Sequence, residues 1–204
     1  MGNYSKIAIV SMALGRIGAP KITSLADGSV AANQADLVYD MVRDEVLEAA
    51  DWNFATVRAA LSQSTTAPAQ GYDFAYPLPA DFLRLATDKA DDPRVYPSDV
   101  PYTIEALNDG TKCLFTGYDN TAGDLYIRYA RREANQALWS ASFINAFAWR
   151  LGAELAAVIA ESRSKRADAL EMYGQAIQAA VGLSRSGDSL TDETGSDSWV
   201  GAGR

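Results

Sequence analysis

Few side chains in this sequence have types that could do chemistry, and those types limit what the chemistry could be. Histidine is absent from all 204 residues. A chain without it has no Ser-His-Asp or Cys-His relay and lacks the commonest zinc ligand. Cys113 is the single cysteine. It alternates with Phe115 in a stretch that reads as strand, so it is core filler rather than an activated nucleophile. A lone cysteine leaves no internal disulfide and fits a reducing compartment. Ser162-Arg163-Ser164-Lys165 has the Ser-x-x-Lys spacing of penicillin-recognising enzymes. The Lys-Thr-Gly element that should accompany it is missing, and a solvated turn between helices accounts for it better. Asp119 and Asn120 with Asp124 hint at a calcium loop, but the EF-hand spacing is absent and a polar turn fits. The pairs Asp44-Glu45 and Asp91-Asp92 have the composition of a glycosidase site, yet acidic chains supply such pairs by chance. Asp188, Asp192, Glu193 and Asp197 could gather a cation only weakly. Arg131-Arg132 reads as a surface or interface pair. No phosphate-cradling glycine loop occurs. The expectation is therefore no catalytic residue, no cofactor and no metal.

The formal net charge is −8. Nucleic-acid binding needs clustered Lys and Arg to displace counterions, so this balance argues against it. DNA sliding past an unattractive wall is still compatible with it. The N-terminus lacks the basic region and apolar run of a signal peptide. No apolar run approaches the ~20 residues that cross a bilayer.

The elements that must hold these residues follow from periodicity. Ser5 caps a first helix with Ile7, Val10, Leu14 and Ile17 on one face, ended by Gly18 and Pro20. Ser29 caps a second, with Leu37, Val38, Met41, Val42 and Leu47 apolar and Asp36, Asp40, Arg43, Asp44 and Glu48 solvated. Asp51-Trp52-Asn53-Phe54 breaks it and leads into an extended segment. Tyr76 and Leu78 precede prolines and are pushed to extended geometry. Asp88 to Pro101 is a polar loop. Tyr102–Leu107, the turn Asn108-Asp109-Gly110 and Lys112–Thr116 form a hairpin. Leu125, Ile127 and Tyr129 alternate as a half-buried strand.

Ser140 then caps a third helix through Phe143, Phe147, Leu151, Leu155 and Ile159, flanked by Ile144 and Val158. After a short break Ser164 caps a fourth, with Leu170, Tyr173, Ile177 and Ala180 as its stripe. So short a break makes the last two helices antiparallel neighbours. This predicts an α+β fold. About four helices (5–18, 29–50, 140–160 and 164–182) form a bundle, with a small antiparallel β-meander inserted over 54–131. Residues 183–204 are rich in Ser, Gly, Thr and Asp and read as a flexible C-terminal tail. Trp199, with Val200, is the apolar exception there, and is either incidental or an anchor for a partner.

Several stretches, in order, resemble the head-to-tail adaptor family (tail tubular protein A) of short-tailed bacteriophages. They are Trp52-Asn53-Phe54-Ala55, Tyr76-Pro77-Leu78-Pro79-Ala80-Asp81-Phe82-Leu83-Arg84, Cys113-Leu114-Phe115-Thr116, Leu125-Tyr126-Ile127-Arg128-Tyr129, and the helix from Phe143 to Ala160. The resemblance covers roughly residues 4 to 181. It implies a non-enzymatic virion protein, made in the bacterial cytoplasm. Such proteins form a ring, usually dodecameric, between the portal protein and the tail nozzle (tail tubular protein B), with tail fibres nearby. Viral DNA passes through the ring during ejection without sequence-specific binding. Carried onto this chain, the tail would dock on the portal through Ser184, Arg185, Leu190, Trp199 and Val200. Asp91, Asp92, Arg94, Tyr96, Asn108, Asp109, Tyr118 and Asp119 would lie on loops facing the nozzle. The competing readings are a small tail-associated, carboxylate-dependent hydrolase and a host-type helical interaction domain.

Overall fold

Serine hydroxyls set where the helices begin. A computed structural model of the chain describes residues 4–86 and 97–188. In it Ser5, Ser29 and Ser140 accept the amides of Ala8, Ala32 and Phe143. They open α1 (Lys6–Arg16), α2 (Val30–Glu48) and α3 (Ala141–Val158). Each satisfies an amide that the first helical turn would leave unpaired. α1 ends as its sequence requires. Gly18 takes φ +69°, and the amides of Gly18 and Ala19 close back on the carbonyls of Gly15 and Leu14.

The fold is α+β, with four helices among the described residues and two three-stranded antiparallel sheets. α3 is the central helix; α1, α2 and α4 (Arg163–Asp188) all pack on it. At one crossing a Cβ on Gly152 would stand 3.2 Å from the carbonyl oxygen of Ala13, a tight approach that a larger residue would have to relieve by shifting α1. The core is aromatic at its centre. Phe143 touches the rings of Trp52, Phe54, Trp139 and Phe147, and Tyr39 meets Phe147 edge-on.

The inserted region is not one meander. β1 (Thr56–Leu61), β6 (Leu125–Arg131) and β3 (Phe82–Leu85) form one sheet, in that order. β2 (Phe74–Pro77), β5 (Lys112–Thr116) and β4 (Tyr102–Ala106) form the other. The backbone bond from Ser64 N to Ala75 O, at 2.7 Å, carries the run beyond β1 alongside β2 and links the sheets. Leu61, Tyr76, Phe82, Leu114, Leu125, Ile127 and Tyr129 face inward from both and share one small core. The alternation along β6 was legible in the sequence. The strand order was not, because the partners of β6 come from far upstream.

Other expectations also need correction. On α2 the buried row is Ala32, Ala35, Tyr39, Val42, Val46 and Leu47, while Leu37 and Met41 face solvent. Apolar residues lie on both sides of this helix, and the alanines with Tyr39 fit against α3. Arg43, expected on the solvated face, is buried, with its guanidinium held by Asp40 at 2.9 Å and Asp44 at 2.8 Å. Val158 of α3 is exposed. α4 is capped by Ser162 rather than Ser164, since Ser162 Oγ accepts the Lys165 amide at 3.4 Å. Its packed row is Ala169, Ala176 and Ala180 with half-buried Tyr173 and Ile177, and Leu170 is exposed. Small residues in that row let two helices approach closely. α4 also runs to Asp188, beyond the expected end at 182. Gly182, at the expected end, is by itself too little to stop an established helix.

Candidate interaction surfaces

The two layers meet at the break after α2. Trp52 Nε1 donates to Val46 O at 2.8 Å, which folds the indole under the end of α2 and into the bundle core. Ala55 O accepts the Arg131 amide at 2.8 Å, so the same short segment starts the sheet. Arg84 of β3 donates through Nε to Glu48 O at 2.6 Å and through Nη2 to Asp51 Oδ1 at 2.6 Å. A cation on the last carbonyl of a helix also complements the helix dipole. Arg128 lies 3.7 Å from the other oxygen of Asp51, and Arg132 donates to Asp44 at 2.7 Å. The sheet is thus fastened to α2 by charge-assisted bonds from β3, β6 and the residue after it.

These contacts settle what the acidic pairs do here. Asp44 serves Arg43 and Arg132. Glu45 accepts Arg150 at 2.7 Å, and Arg150 also reaches Glu154. Burial pulls the Arg150 pKa down, but the hydrogen bonds to Glu45 and Glu154 outweigh it and leave the guanidinium above its ordinary value. Arg131 pairs with Glu133. The positions Asp91 and Asp92 lie outside the described residues.

The other reactive types are equally committed. Cys113 is buried beside Ala75 and Phe115, and burial, with the charge of Asp109, raises its thiol. Such a thiol is a poor thiolate source. Ser162 and Lys165 do not form a dyad. Ser162 starts α4, and Lys165 Nζ donates to Ile17 O at 2.8 Å, joining α4 to the end of α1. Asp119 accepts the Thr121 amide at 3.0 Å and caps a short 3-10 turn, Asn120–Ala122. Among the described residues no group of three or more His, Cys, Asp or Glu side chains could hold a metal ion.

The residues expected on the nozzle-facing loops are not brought to one place. Asn108 and Asp109 form the exposed turn before β5; Tyr118 and Asp119 follow its far end. The five-residue strand between them spans about 13 Å from its first residue to its last. Asp109 accepts the Thr111 amide at 2.9 Å, which holds its carboxyl below the usual range. Tyr118 is half-buried. Its carbonyl accepts Tyr76 Oη at 2.9 Å, and its own hydroxyl donates to Gly123 O at 3.2 Å. It is therefore a brace for the turn, and Asn108 and Asp109 are the freer pair. Arg94 and Tyr96 lie outside the described residues, as do Leu190, Trp199 and Val200. Ser184 and Arg185 fall on the last turns of α4.

The sequence reading missed an exposed apolar face on α2. Val30, Leu37 and Met41 are 67%, 76% and 56% exposed. The spacing of Leu37 and Met41 predicts a core face, and Val30 carries no such expectation. No protein-family model matches this chain, and no curated protein matches it.

Proposed function

We propose that the chain is a structural subunit of a short-tailed phage virion: a head-to-tail adaptor, ring-forming and without a reaction centre. It would sit between portal and nozzle, with DNA leaving through the centre. One observation carries this reading. The separate stretches that resemble the adaptor family occupy the joint and the two cores. Trp52 and Phe143 lie ring to ring, Arg84 is clamped on Glu48 and Asp51, and Ile127 shares the sheet core with Tyr76 and Leu114. Residues so placed keep a helical layer and a β layer in fixed relation, which suits a subunit that must present different partners to its two ends. The acid excess supports it too, since a negative wall repeated around a channel keeps DNA phosphates from sticking.

Mixing the full chain with portal rings encoded by the same genome tests the proposal. The expected result is co-sedimentation, and a second ring stacked on the portal in negative-stain images. A chain that stays free of portal overturns it. Alone, the protein should sediment as a monomer, because small interfaces close a ring only when a template raises their effective concentration. Stable rings without portal would contradict that. Removing residues 184–204 should abolish capture by the portal, and unchanged capture would remove the docking role of Ser184, Arg185, Leu190, Trp199 and Val200.

A further inference from the structure

We propose that copies of this chain associate head to tail, the outer face of α2 on one copy lying antiparallel along the outer face of α4 on the next. Two unlike surfaces on one chain support it. The α2 face presents Val30, Leu37 and Met41, all large and exposed, and ends at the exposed Glu48. The α4 face begins at exposed Arg163, continues through exposed Leu170 and Gly174, and ends at Val181, which is half-buried against the edge of the bundle core. No partner is found for the Glu48 carboxylate or the Arg163 guanidinium among the described residues.

The two stripes match in spacing and in charge. From Val30 to Leu37, Met41 and Glu48 the steps are seven, four and seven residues. From Arg163 to Leu170, Gly174 and Val181 they are again seven, four and seven. Laid antiparallel, Glu48 meets Arg163, Met41 meets Leu170, Leu37 meets Gly174 and Val30 meets Val181. Each row follows one helix face for about 27 Å. Gly174 fits this register. It stands in mid-helix, where glycine costs about 1 kcal/mol relative to alanine. Gly152 lies tight against α1, but nothing lies within 4 Å of a Cβ on Gly174. A bare backbone opposite Leu37 gives that side chain a seat. Because the surfaces differ, the contact is heterologous, and it closes into a ring or runs on as a chain. It deepens the adaptor reading by naming the faces through which neighbours meet, but it can be tested without portal.

The test traps the contact with disulfides in full-length protein. Leu37→Cys and Gly174→Cys are both at open surface positions, and buried Cys113 is left in place. Mixed at high concentration under mild oxidation, the two variants should give a cross-linked dimer that neither gives alone. Adding Glu48→Arg to the first variant should cut the yield about tenfold. Adding Arg163→Glu to the second as well should restore it. A dimer of Leu37→Cys with itself, a dimer of Gly174→Cys with itself, or no dimer in the mixture overturns the proposal. A mixed dimer indifferent to the charge reversals overturns the register. If the mixed dimer forms while portal is ignored, the adaptor reading falls and this contact stands.

Discussion

The bundle and the β layer of this chain solve the burial problem differently. The bundle draws on α1, α2, α3 and α4 for one continuous core and concentrates its rings there. Trp139 and Phe143 are 4.8 Å apart, Trp52 and Phe143 5.0 Å, and Tyr39 and Phe147 5.0 Å. Each such pair adds about 0.5–1.5 kcal/mol beyond area burial. The β layer has strands of four to seven residues and a shared core of seven buried side chains. A two-stranded hairpin is marginal alone, and each sheet here has only one strand more than that. What the β layer lacks in core it recovers at the joint, through Arg84, Arg128 and Arg132. The bundle is thus the part that holds itself together, and the sheets are the part that is held.

That asymmetry predicts unequal effects of core truncation. Phe143→Ala removes the ring that four others touch and should cost about 3–5 kcal/mol. Leu114→Ala empties a smaller core with thinner walls and should cost about 2–3 kcal/mol. Chemical denaturation with hydrogen exchange separates the two. Phe143→Ala should raise exchange in both layers, because Trp52 carries the joint as well as the core. Leu114→Ala should raise it in the sheets and leave α3 protected. Equal loss of protection in both layers of Leu114→Ala would show one cooperative unit and end the comparison.

The same division explains which parts of the structure could be read from the sequence. Helix starts were legible because a serine cap is a local signal, as Ser5, Ser29 and Ser140 show. The hairpin of β4 and β5 was legible because Asn108-Asp109-Gly110 is a local turn. The pairing of β1 and β3 with β6 was not, since Thr56 and Ala130 meet across a long loop closure. The buried side of α2 was misread because Leu37 and Tyr39 lie on opposite faces of a helix apolar on both. Only the fit of Tyr39 against Phe147 decides between them. Of the candidate site residues, Tyr118 looked exposed by its place in a turn, yet a distant hydroxyl, that of Tyr76, ties it down.

Alkali offers a second way to compare the layers, for each core holds one strongly perturbed tyrosine. Burial pushes Tyr39 up to about 12 from an ordinary value of 10.0. Burial, with its bond to the Asp81 carboxylate, pushes Tyr129 up to about 12. Below pH 10 both states keep these protons. Between about 10 and 12 the unfolded chain releases them while the fold retains them, so stability falls as the pH rises through that window. Phenylalanine at each site should separate the layers. The Tyr39 hydroxyl is buried without a hydrogen bond of ordinary geometry, although the Gln136 side chain stands beside it. Tyr39→Phe should therefore gain about 1 kcal/mol at neutral pH and flatten the alkaline decline. Tyr129→Phe gives up the 3.1 Å bond to Asp81 and should lose stability by a similar amount. Matching signs for the two substitutions would remove the distinction between a core that tolerates an orphan and one that relies on its polar contact.

The smallest expected effect concerns the turns. In the β layer the left-handed positions are glycines, among them Gly110 at φ +86°. In the bundle the turn between α3 and α4 puts Glu161 at φ 45°. A side chain in that region costs about 1–2 kcal/mol. Glycine would remove the cost, but it would also widen the unfolded ensemble by about 0.4–1 kcal/mol. Glu161→Gly should therefore stabilise the chain by only a few tenths of a kcal/mol, read as a small rise in the denaturation midpoint at unchanged slope. A loss would mean that Glu161 stiffens the hairpin, and with it the angle at which α4 leaves α3. The bundle would then owe part of its rigidity to a turn, as the sheets do.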